Sequence, residues 1–501
     1  MRFWTTIGLI LMLSAVGLTY EIAAGRVLAP FFGTSLVTWT AVIATVLAGF
    51  SVGSALGGLL AERDRRGAFA GVRAALVGTA ALAALSPTIL GFLYASGARG
   101  TGGMLLSVVV AFFPASVLVS TPSPFLAKLA VEARPGREGS SLGFVLAAGS
   151  VGAIFGAILA GFVALPLVGS AATFAGCGAA ALLCALLVRD RATGDDGEGE
   201  QADGRSTEPG SVAMFAAAAL LVAASMAGGQ ACRYESGLSC IDVVRTGGEI
   251  HLYSDRTQQA AERVVRGEER TGASDRLVLD YTQWLWARMD RDLGASPTVL
   301  FVGGGGYTLP TMLLASRPKA HAVAVEIDPL VTQVVRRHLP WAGAMIDQAG
   351  YDADMENLRE PAVTGRLGIV HADGRVYLNE TGRRFDAAVV DAFSSGSVPA
   401  HLATREAYER LQSIVQGPVY VNLIDVPDGP LARGVHAILS NLYPHVEAAQ
   451  GAVSDRGRAN IVLAAAHRPL AGLTALPEGY EAVEITSGYA FTDDRGWVGH
   501  R

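Results

Sequence analysis

Long apolar runs dominate residues 1–188 of this 501-residue chain, and each run is long enough to cross a lipid bilayer. A helix needs about 20 mostly apolar residues to span the hydrocarbon core. We predict seven spans, at about residues 4–24, 35–60, 74–96, 103–121, 141–166, 169–188 and 211–228. Beyond Arg233 charged residues recur every few positions, so the chain divides into a membrane half and a soluble half.

Four segments follow from this division. Residues 1–188 form a transmembrane helical domain, and 211–228 form an additional transmembrane or interfacial helix. Between them, 189–210 contain the stretch "RDRATGDDGEGEQADGRSTEPG", which is acidic and glycine-rich and cannot bury enough apolar surface to fold. We predict a disordered acidic linker there and a soluble domain over 229–501.

Two stretches of the membrane half resemble each other at an offset of 99 residues, "SVGSALGGLLA" at 51–61 and "SVGAIFGAILA" at 150–160. That offset corresponds to three spans. An odd number of spans in each unit indicates an inverted repeat, as in many transporters. The alternative is that both stretches are glycine-rich faces on which helices approach closely.

Loop charges predict a topology. Basic residues follow the second, fourth and sixth spans, while the intervening loops contain only Arg26 and Arg99; those that follow the even spans are Arg63, Arg65, Arg66, Arg73, Lys128, Arg134, Arg137, Arg189 and Arg191. The positive-inside rule makes these loops cytoplasmic. A true seventh span would put the soluble half outside, whereas the supply of a soluble cofactor favours the cytoplasm. The sequence does not determine on which face of the membrane the soluble half lies.

The net charge and the cysteine spacing argue against a nucleic-acid site and a metal site. The net charge is −6, and the soluble half has no basic cluster to bind phosphates, so we predict no nucleic-acid partner. Cys232 and Cys240 lack the spacing of metal ligands, and we predict no metal. These two residues either pair in an oxidising compartment or remain free thiols.

The soluble half begins with a pattern typical of a β-hairpin. "LSCIDVVRTGGEIHLYSD" alternates apolar and polar residues around Gly247 and Gly248, and the helical stretch "SDRLVLDYTQWLWARM" follows. From Thr298 strands and helices alternate. We therefore predict an α/β Rossmann-like domain of the methyltransferase type, with a mostly parallel sheet between helices.

Ligands in such a sheet bind beyond the carboxyl ends of the strands. Each of five predicted strands ends in glycine or an acid; in order these are Gly303, Gly304, Gly305 and Gly306, then Glu326 and Asp328, then Asp373 with Gly374, then Asp391, then Asp425. Glycines let the backbone approach a ligand. Glu326, about 20 residues after them, can accept the hydroxyls of a ribose, and Asp373 can bind an adenine amino group. Without a GxGxxG motif, the pattern favours an S-adenosyl nucleoside over NAD.

The stretch "LFVGGGGYTLP…VAVEIDPLV…VHADGRVYL…FDAAVVDAFSSGSVPAHLATREAY" resembles the spermidine synthase family of aminopropyltransferases, especially its membrane-fused bacterial members. The resemblance covers roughly residues 232–465. It implies decarboxylated S-adenosylmethionine as co-substrate, with Glu326 on the ribose, Asp373 on the adenine and Asp391 activating the acceptor amine. It also implies roles for Gln258 or Gln259 and for Tyr281.

Several positions depart from the family pattern. The family usually has an aspartate directly after three glycines and another three residues after the catalytic acid, where this chain has Gly306 and Ser394. Its Tyr-His-Glu motif here reads Tyr281-Thr282-Gln283. Losing two carboxylates weakens the case for a dicationic acceptor, unless a nearby acid replaces them; the candidates are Glu235, Asp425 and Asp428.

We therefore predict a membrane-bound aminopropyltransferase that transfers an aminopropyl group to putrescine or spermidine and releases methylthioadenosine. The alternatives are an S-adenosylmethionine-dependent methyltransferase and a polyamine transporter with a nucleoside-sensing domain. We expect a multi-pass protein of the bacterial inner membrane, with the lipid bilayer and a polyamine as partners and a homodimer as its assembly.

Overall fold

The computed structural model describes residues 2–33, 36–188, 209–227, 233–255, 257–264, 276–353, 365–392, 398–454, 457–473, 476–486 and 488–494. The chain forms two compact units, a helical unit of Met1–Cys240 and a soluble unit of Ile241–Arg501. The helical unit therefore includes residues 233–240, which the sequence assigns to the soluble domain. The predicted linker lies almost wholly outside the described residues.

Apolar helices make up the helical unit. They are α1 (Phe3–Phe32), α2 (Leu36–Ala61), α3 (Arg65–Ala95), α4 (Gly100–Ser120), α5 (Pro122–Glu132), α6 (Glu138–Ile158), a π-helical segment (Leu159–Ala164), α7 (Leu165–Leu187) and α8 (Pro209–Ala227), followed by the short strand β1 (Tyr234–Glu235). Five stretches are long and apolar enough to cross a membrane: Phe3–Phe32, Val37–Ala61, Arg65–Ala95, Gly100–Glu132 and Glu138–Leu187.

The difference from seven predicted spans has two local causes. The fifth and sixth predicted spans form one continuous stretch, in which Gly169 (φ 80°, ψ 175°) is the non-helical residue that separates two arms. The seventh is the shorter apolar stretch Val212–Met226 of α8. The sequence also gave no sign of α5, which begins at Pro122 directly after α4.

Glycines set the closest helix contacts. A Cβ at Gly53 or Gly57 of α2 would lie about 2 Å from the carbonyl oxygens of Val117 or Thr121. Gly152 and Gly156 of α6 lie just as close to the carbonyl oxygens of Leu11 and Ala15 in α1. In both pairs, glycines four residues apart therefore allow helix backbones to touch.

The soluble unit opens with an antiparallel sheet of β2 (Cys240–Thr246), β3 (Glu249–Ser254) and β4 (Thr257–Arg263). Strands β2 and β3 pair across Gly247 and Gly248, whose φ angles of 60° and 88° suit a tight hairpin turn. Cys240 is disulfide-bonded. Its predicted partner Cys232 lies outside the described residues.

A nine-stranded sheet follows, in the order β13-β11-β12-β10-β9-β5-β6-β8-β7. Its strands are β5 (Thr298–Val302), β6 (His321–Glu326), β7 (Gly350–Asp352), β8 (Leu367–His371), β9 (Ala387–Val390), β10 (Val419–Asp425), β11 (His445–Gln450), β12 (Ala459–Ala466) and β13 (Glu481–Ala482). Strands β5 to β10 are parallel, and β11 to β13 add an antiparallel edge.

Helices cover this sheet. They are α9 (Asp280–Asp292), α10 (Thr308–Ser316), α11 (Pro329–His338), α12 (Pro340–Ala349), α13 (Gly374–Glu380), α14 (Arg405–Ile414) and α15 (Pro430–Leu442), with a 3-10 turn at Ala400–Leu402. The central strands are buried almost throughout, as continuous apolar runs in parallel sheets are. Helix α9 begins later than the sequence indicates, because Leu277 still pairs with Glu262 in an isolated β-bridge.

Candidate active site

Asp391 follows β9 directly, and both oxygens of its carboxylate are hydrogen-bonded. The Tyr281 hydroxyl donates to Oδ2 over 3.0 Å, and the Asn422 side-chain amide donates to Oδ1 over 2.8 Å. Asn460 in turn donates to the Asn422 carbonyl oxygen over 3.0 Å. One helix and two strands that are distant in sequence, α9, β10 and β12, therefore fix the direction in which this carboxylate points.

Burial raises the pKa of Asp391 from 3.8 to about 6, although the hydrogen bonds from Asn422 and Tyr281 act in the opposite direction. A carboxyl group with this pKa is mostly ionised at neutral pH and can still accept a proton. Burial and the nearby charge of Asp391 raise the pKa of Tyr281 well above 10. Tyr281 therefore stays protonated and remains a hydrogen-bond donor.

The glycine loop after β5 lies against Asp391. Gly303 has a φ of 104°, and a Cβ there would lie 2.3 Å from the Asp391 carbonyl oxygen. A Cβ at Gly306 would lie 2.2 Å from the Ala260 methyl of β4. Strand β4 thus occupies the space that an aspartate at position 306 would need, which is a physical reason for this departure from the family pattern.

Glu326, the last residue of β6, is hydrogen-bonded to the same glycine loop. Its Oε2 accepts hydrogen bonds from the backbone N–H groups of Gly304 and Gly305, both over 3.1 Å, and its Oε1 accepts one from Asp328 over 3.0 Å. Burial raises the pKa of Glu326 to about 7, against the effect of these donors. Asp328 itself caps α11 by accepting from the Leu330 N–H.

Asp373 lies after β8 at the N-terminus of α13. Its Oδ1 accepts from the backbone N–H groups of Arg375 and Val376, and the Nε2 atom of His401 lies 3.0 Å from Oδ2. The next residue, Gly374, packs so closely that a Cβ would lie 2.7 Å from Val302. Asp373 therefore keeps a fixed position beside the sheet edge.

A cavity of about 230 Å³ opens beside Asp391. Its described lining residues are Thr257, Gln258, Gln259, Leu279, Asp280, Tyr281, Gly305, Asp391, Asn422, Ile424, Gly451, Ala452, Asn460 and Tyr480. A smaller cavity, of about 20 Å³, adjoins Gln259, Tyr281, Asp391 and the whole glycine run Gly303–Gly306. The structure thus brings together the predicted glutamines, tyrosine, glycines and catalytic acid.

The two acids predicted to bind the acceptor amine, Glu235 and Asp425, both accept backbone hydrogen bonds. Glu235 belongs to the helical unit, where its Oε1 accepts from the backbone N–H of Ser170 over 3.0 Å. The carboxylate of Asp425 accepts hydrogen bonds from the backbone N–H groups of Val426, Leu431 and Ala432. Through the last two donors it caps the start of α15. Neither is among the described residues that line the cavity, and their roles toward the acceptor amine stay predictions.

Sequence reasoning missed Asn422, Asn460 and Tyr480. Asn422 carried a signal, because it is the only polar residue inside the buried run "VYVNLI" of β10. Asn460 lies beside it only because β12 pairs antiparallel with β10. Tyr480 has no comparable pattern around it, and only the tertiary fold brings it to the cavity.

Curated proteins similar to this chain are polyamine aminopropyltransferases. That of Vibrio vulnificus (strain CMCP6) is 32% identical over 112 residues, which are 22% of this chain and 30% of the relative. That of Ruegeria sp. (strain TM1040) is 31% identical over 99 residues, 20% of this chain and 30% of the relative. The chain thus matches about 30% of the length of these relatives. No family model matches it.

A solved structure with a similar fold is that of a probable spermidine synthase from Corynebacterium glutamicum ATCC 13032. It has 15% identity and a TM-score of 0.42, and the match covers 52% of this chain and 95% of that one. Both curated relatives are aminopropyltransferases, the class of enzyme that the motifs of this chain resemble. The membrane-fused type stays a prediction.

Proposed function

We propose that the soluble unit is an aminopropyltransferase that uses decarboxylated S-adenosylmethionine. The observation that carries this proposal is the buried Asp391 carboxylate, held by Tyr281 and Asn422 at the wall of a cavity beside the glycine loop. A carboxylate so placed can orient an amine next to a nucleoside bound at the strand ends. The acceptor is putrescine or spermidine.

The donor binds along the carboxyl edge of the sheet. Glu326 accepts the ribose hydroxyls, Asp373 takes the adenine amino group, and the glycine loop allows the backbone to approach the nucleoside. Gln258 and Gln259 also line the cavity, where the amide of one of them can bind the transferred chain. Protonation turns one oxygen of Glu326 into an O–H donor, so the ionised form is the stronger acceptor.

The reaction needs a neutral nitrogen. Alkyl amines have a pKa of about 10 and are protonated at pH 7. Asp391 accepts a proton from the ammonium group, and the freed lone pair forms a bond to the carbon next to the sulfonium. The carbon–sulfur bond breaks with its electron pair remaining on sulfur, so neutral methylthioadenosine leaves without acid catalysis.

Methyl transfer is the second candidate, because the same fold binds S-adenosylmethionine. That donor has a carboxylate, for which a basic side chain is the usual partner. Among the described residues that line the two cavities there is no arginine or lysine. This composition favours the decarboxylated donor.

Product analysis of the detergent-purified protein tests the proposal. The protein is incubated with decarboxylated S-adenosylmethionine or with S-adenosylmethionine, each with a panel of amines, and products are identified by mass spectrometry. We expect methylthioadenosine and an amine enlarged by one aminopropyl group. S-adenosylhomocysteine would instead assign a methyltransferase, and no product from either donor would favour a sensor joined to a transporter.

Tyr281→Phe should shift the acidic limb of the pH–rate profile upward. The hydroxyl donates to the ionised Asp391, so its loss raises the pKa of that carboxyl group. A hydrogen bond to a charged group contributes about 1.5–3 kcal/mol, and we expect a shift of about one pH unit or more.

Tyr408→Phe is the matched control. The Tyr408 hydroxyl is also buried, but it has no hydrogen-bond partner among the residues that the structure describes. Its removal should leave the profile in place. An unshifted acidic limb in Tyr281→Phe would show that this hydroxyl does not control the ionisation of Asp391.

We also propose that the helical unit spans the membrane as two inverted repeats, α1–α3 and α4 with α6 and α7. Helix α1 packs on α6, α2 on α4, and α3 on α7, which is the pattern expected if two equivalent halves exchange partners. The close contacts of Gly53 with Val117 and of Gly152 with Leu11 occupy equivalent places in the two halves. A homodimer in the bilayer remains our prediction for the assembly.

A further inference from the structure

The helical unit has one end rich in basic residues. The described Lys and Arg residues at or near this end include Arg2, Arg63, Arg65, Arg66, Arg73, Lys128, Arg134 and Arg137. Lys128 donates from Nζ to the carbonyl oxygen of Ala61 over 2.7 Å, and the Arg134 guanidinium lies 3.6 Å from the ring centre of Phe3. These contacts join the start of α1, the end of α2 and the α5–α6 connection in one group, the basic end.

The opposite end has few basic residues. Phe31 at the end of α1 contacts Tyr94 at the end of α3, with ring centres 5.3 Å apart, and Arg99 lies over the same Tyr94 ring. Among the described residues before position 233, the basic residues in the connections and helix ends on this side are Arg26 and Arg99. We call this group the exit end, because the chain leaves the helical unit from it.

Residues 233–240 are attached to the exit end. The Arg26 Nε–H donates to the Ser236 carbonyl oxygen over 3.3 Å, and the backbone N–H of Ser170 donates to Glu235 over 3.0 Å. Gly169, the non-helical residue before α7 continues, also lies against the Glu235 carboxylate. Ile241, the first residue of the soluble unit, follows Cys240 directly.

Helix α8 connects the two ends. It contains 19 residues, which corresponds to a length of about 28 Å, close to the thickness of a hydrocarbon core. It packs on both α3 and α7, and Val222 lies against Gly178 in the middle of α7. Its apolar stretch Val212–Met226 is shorter than those of the five long helices, so its packing along α3 and α7 is the observation that favours a crossing over an interfacial position.

We propose that the soluble unit works on the extracytoplasmic, oxidising side of the membrane. The basic end is cytoplasmic by the positive-inside rule, so the exit end and the chain that leaves it lie outside. An independent observation agrees. Cys240, the last residue before the soluble unit, is disulfide-bonded, and such bonds persist in oxidising compartments, while Cys177 and Cys184 within the helices are free.

This placement requires one step before aminopropyl transfer, and the inference of that step rests on the proposed function. A donor that is a sulfonium nucleoside has to cross the membrane before Asp391 can use it. The acceptor amine reaches the site from the outer compartment. The step that precedes aminopropyl transfer is therefore the export of the nucleoside cation across the membrane.

Thiol labelling tests the topology without any measurement of turnover. Ser316→Cys places a thiol on an exposed position of the soluble unit, and Ser140→Cys places one at an exposed position beside the basic end. Bacterial spheroplasts that express each variant are treated with a membrane-impermeant maleimide before and after lysis. The parent chain provides the background.

We expect Ser316→Cys to react in intact spheroplasts and Ser140→Cys to react only after lysis. Labelling of Ser316→Cys only after lysis would overturn the proposal, as would reaction of both variants before lysis. Because no substrate is present, this result is independent of which reaction the protein catalyses.

A count of thiols tests the disulfide. Cells are quenched in acid, and the denatured protein is alkylated and weighed by mass spectrometry before and after reduction. The sequence contains four cysteines, and we expect two alkylated groups before reduction and four after it. Four groups before reduction would contradict an oxidising location for the soluble unit.

Discussion

Asp391→Asn is expected to lower turnover by about 10²- to 10⁴-fold, while the Kd of methylthioadenosine stays within about threefold of the parent value. Asparagine cannot accept the proton of the attacking ammonium group. In the proposed site, nucleoside binding depends on Glu326, Asp373 and the glycine loop, which this substitution does not change. Steady-state turnover and calorimetric binding of methylthioadenosine measure the two effects separately.

The variant should fold, because its neighbours can adapt. Asn422 continues to donate to the remaining carbonyl oxygen at position 391. The Tyr281 hydroxyl, which donates to Oδ2 in the parent, can instead accept a hydrogen bond from the new amide. Both partners therefore remain hydrogen-bonded, and a loss of turnover reports on the proton acceptor.

A stability measurement provides the second readout. Because the folded-state pKa of Asp391 is about 6 rather than 3.8, the ionised carboxylate destabilises the folded protein at a pH above about 6. This cost is absent below pH 3.8 and is at most about 3 kcal/mol, at about 1.4 kcal/mol for each pKa unit. Asp391→Asn should therefore raise Tm in detergent at pH 8 more than at pH 4. Parental turnover by the variant would exclude Asp391 as the base.

Glu326→Gln should weaken the binding of methylthioadenosine by about 10- to 100-fold, since hydrogen bonds to a charged acceptor contribute about 1.5–3 kcal/mol. The carboxylate accepts three backbone N–H groups around the glycine loop, from Gly304, Gly305 and Asp328. In glutamine, one oxygen becomes an NH₂ group that faces at least one of these donors. The loop and the ribose acceptor are both impaired, and the Kd measures the sum.

The pH dependence gives this prediction a direction. With a pKa of about 7, Glu326 is ionised above that pH and protonated below it. We expect the Kd of methylthioadenosine for the parent protein to fall as the pH rises through about 7. The same titration should be nearly flat for Glu326→Gln.

Glu262→Gln is the matched control. Glu262 is another buried carboxylate, and it accepts from the backbone N–H groups of Trp341 and Ala342 at the start of α12. Its carboxylate holds the start of α12 and not the glycine loop, so its substitution should reduce stability without changing the Kd. Equal loss of nucleoside affinity in both glutamine variants would mean that Glu326 acts only through the general stability of the fold.

Much of the site could be predicted because parallel strands have a simple sequence pattern. Buried apolar runs that end in glycine or an acid identified Gly303, Glu326, Asp373 and Asp391 at one sheet edge. The apolar runs of the first half likewise indicated each long helix. Both patterns are local, since burial and chain direction repeat within a few residues.

The sequence did not indicate the backbone groups that Asp425 and Glu235 bind, because these contacts depend on the folded chain. Asp425 also ends a parallel strand, but its oxygens are used by the N-terminus of α15. Glu235 is close to the hairpin in sequence, yet it packs with Ser170 in the helical unit. An acid at a strand end therefore has two common uses, and the backbone groups near it determine which one applies.

The sequence by itself determined the division into an apolar and a charged half, the alternation of strands and helices, and the acids at the strand ends. Only the tertiary structure decided that Tyr281 and Asn422 hold Asp391, that β4 fills the space beside Gly306, and that residues 233–240 lie at the exit end. The reason is physical. Hydrophobic periodicity acts over neighbouring residues, whereas hydrogen bonds and packing between residues more than 30 positions apart exist only after the chain has folded.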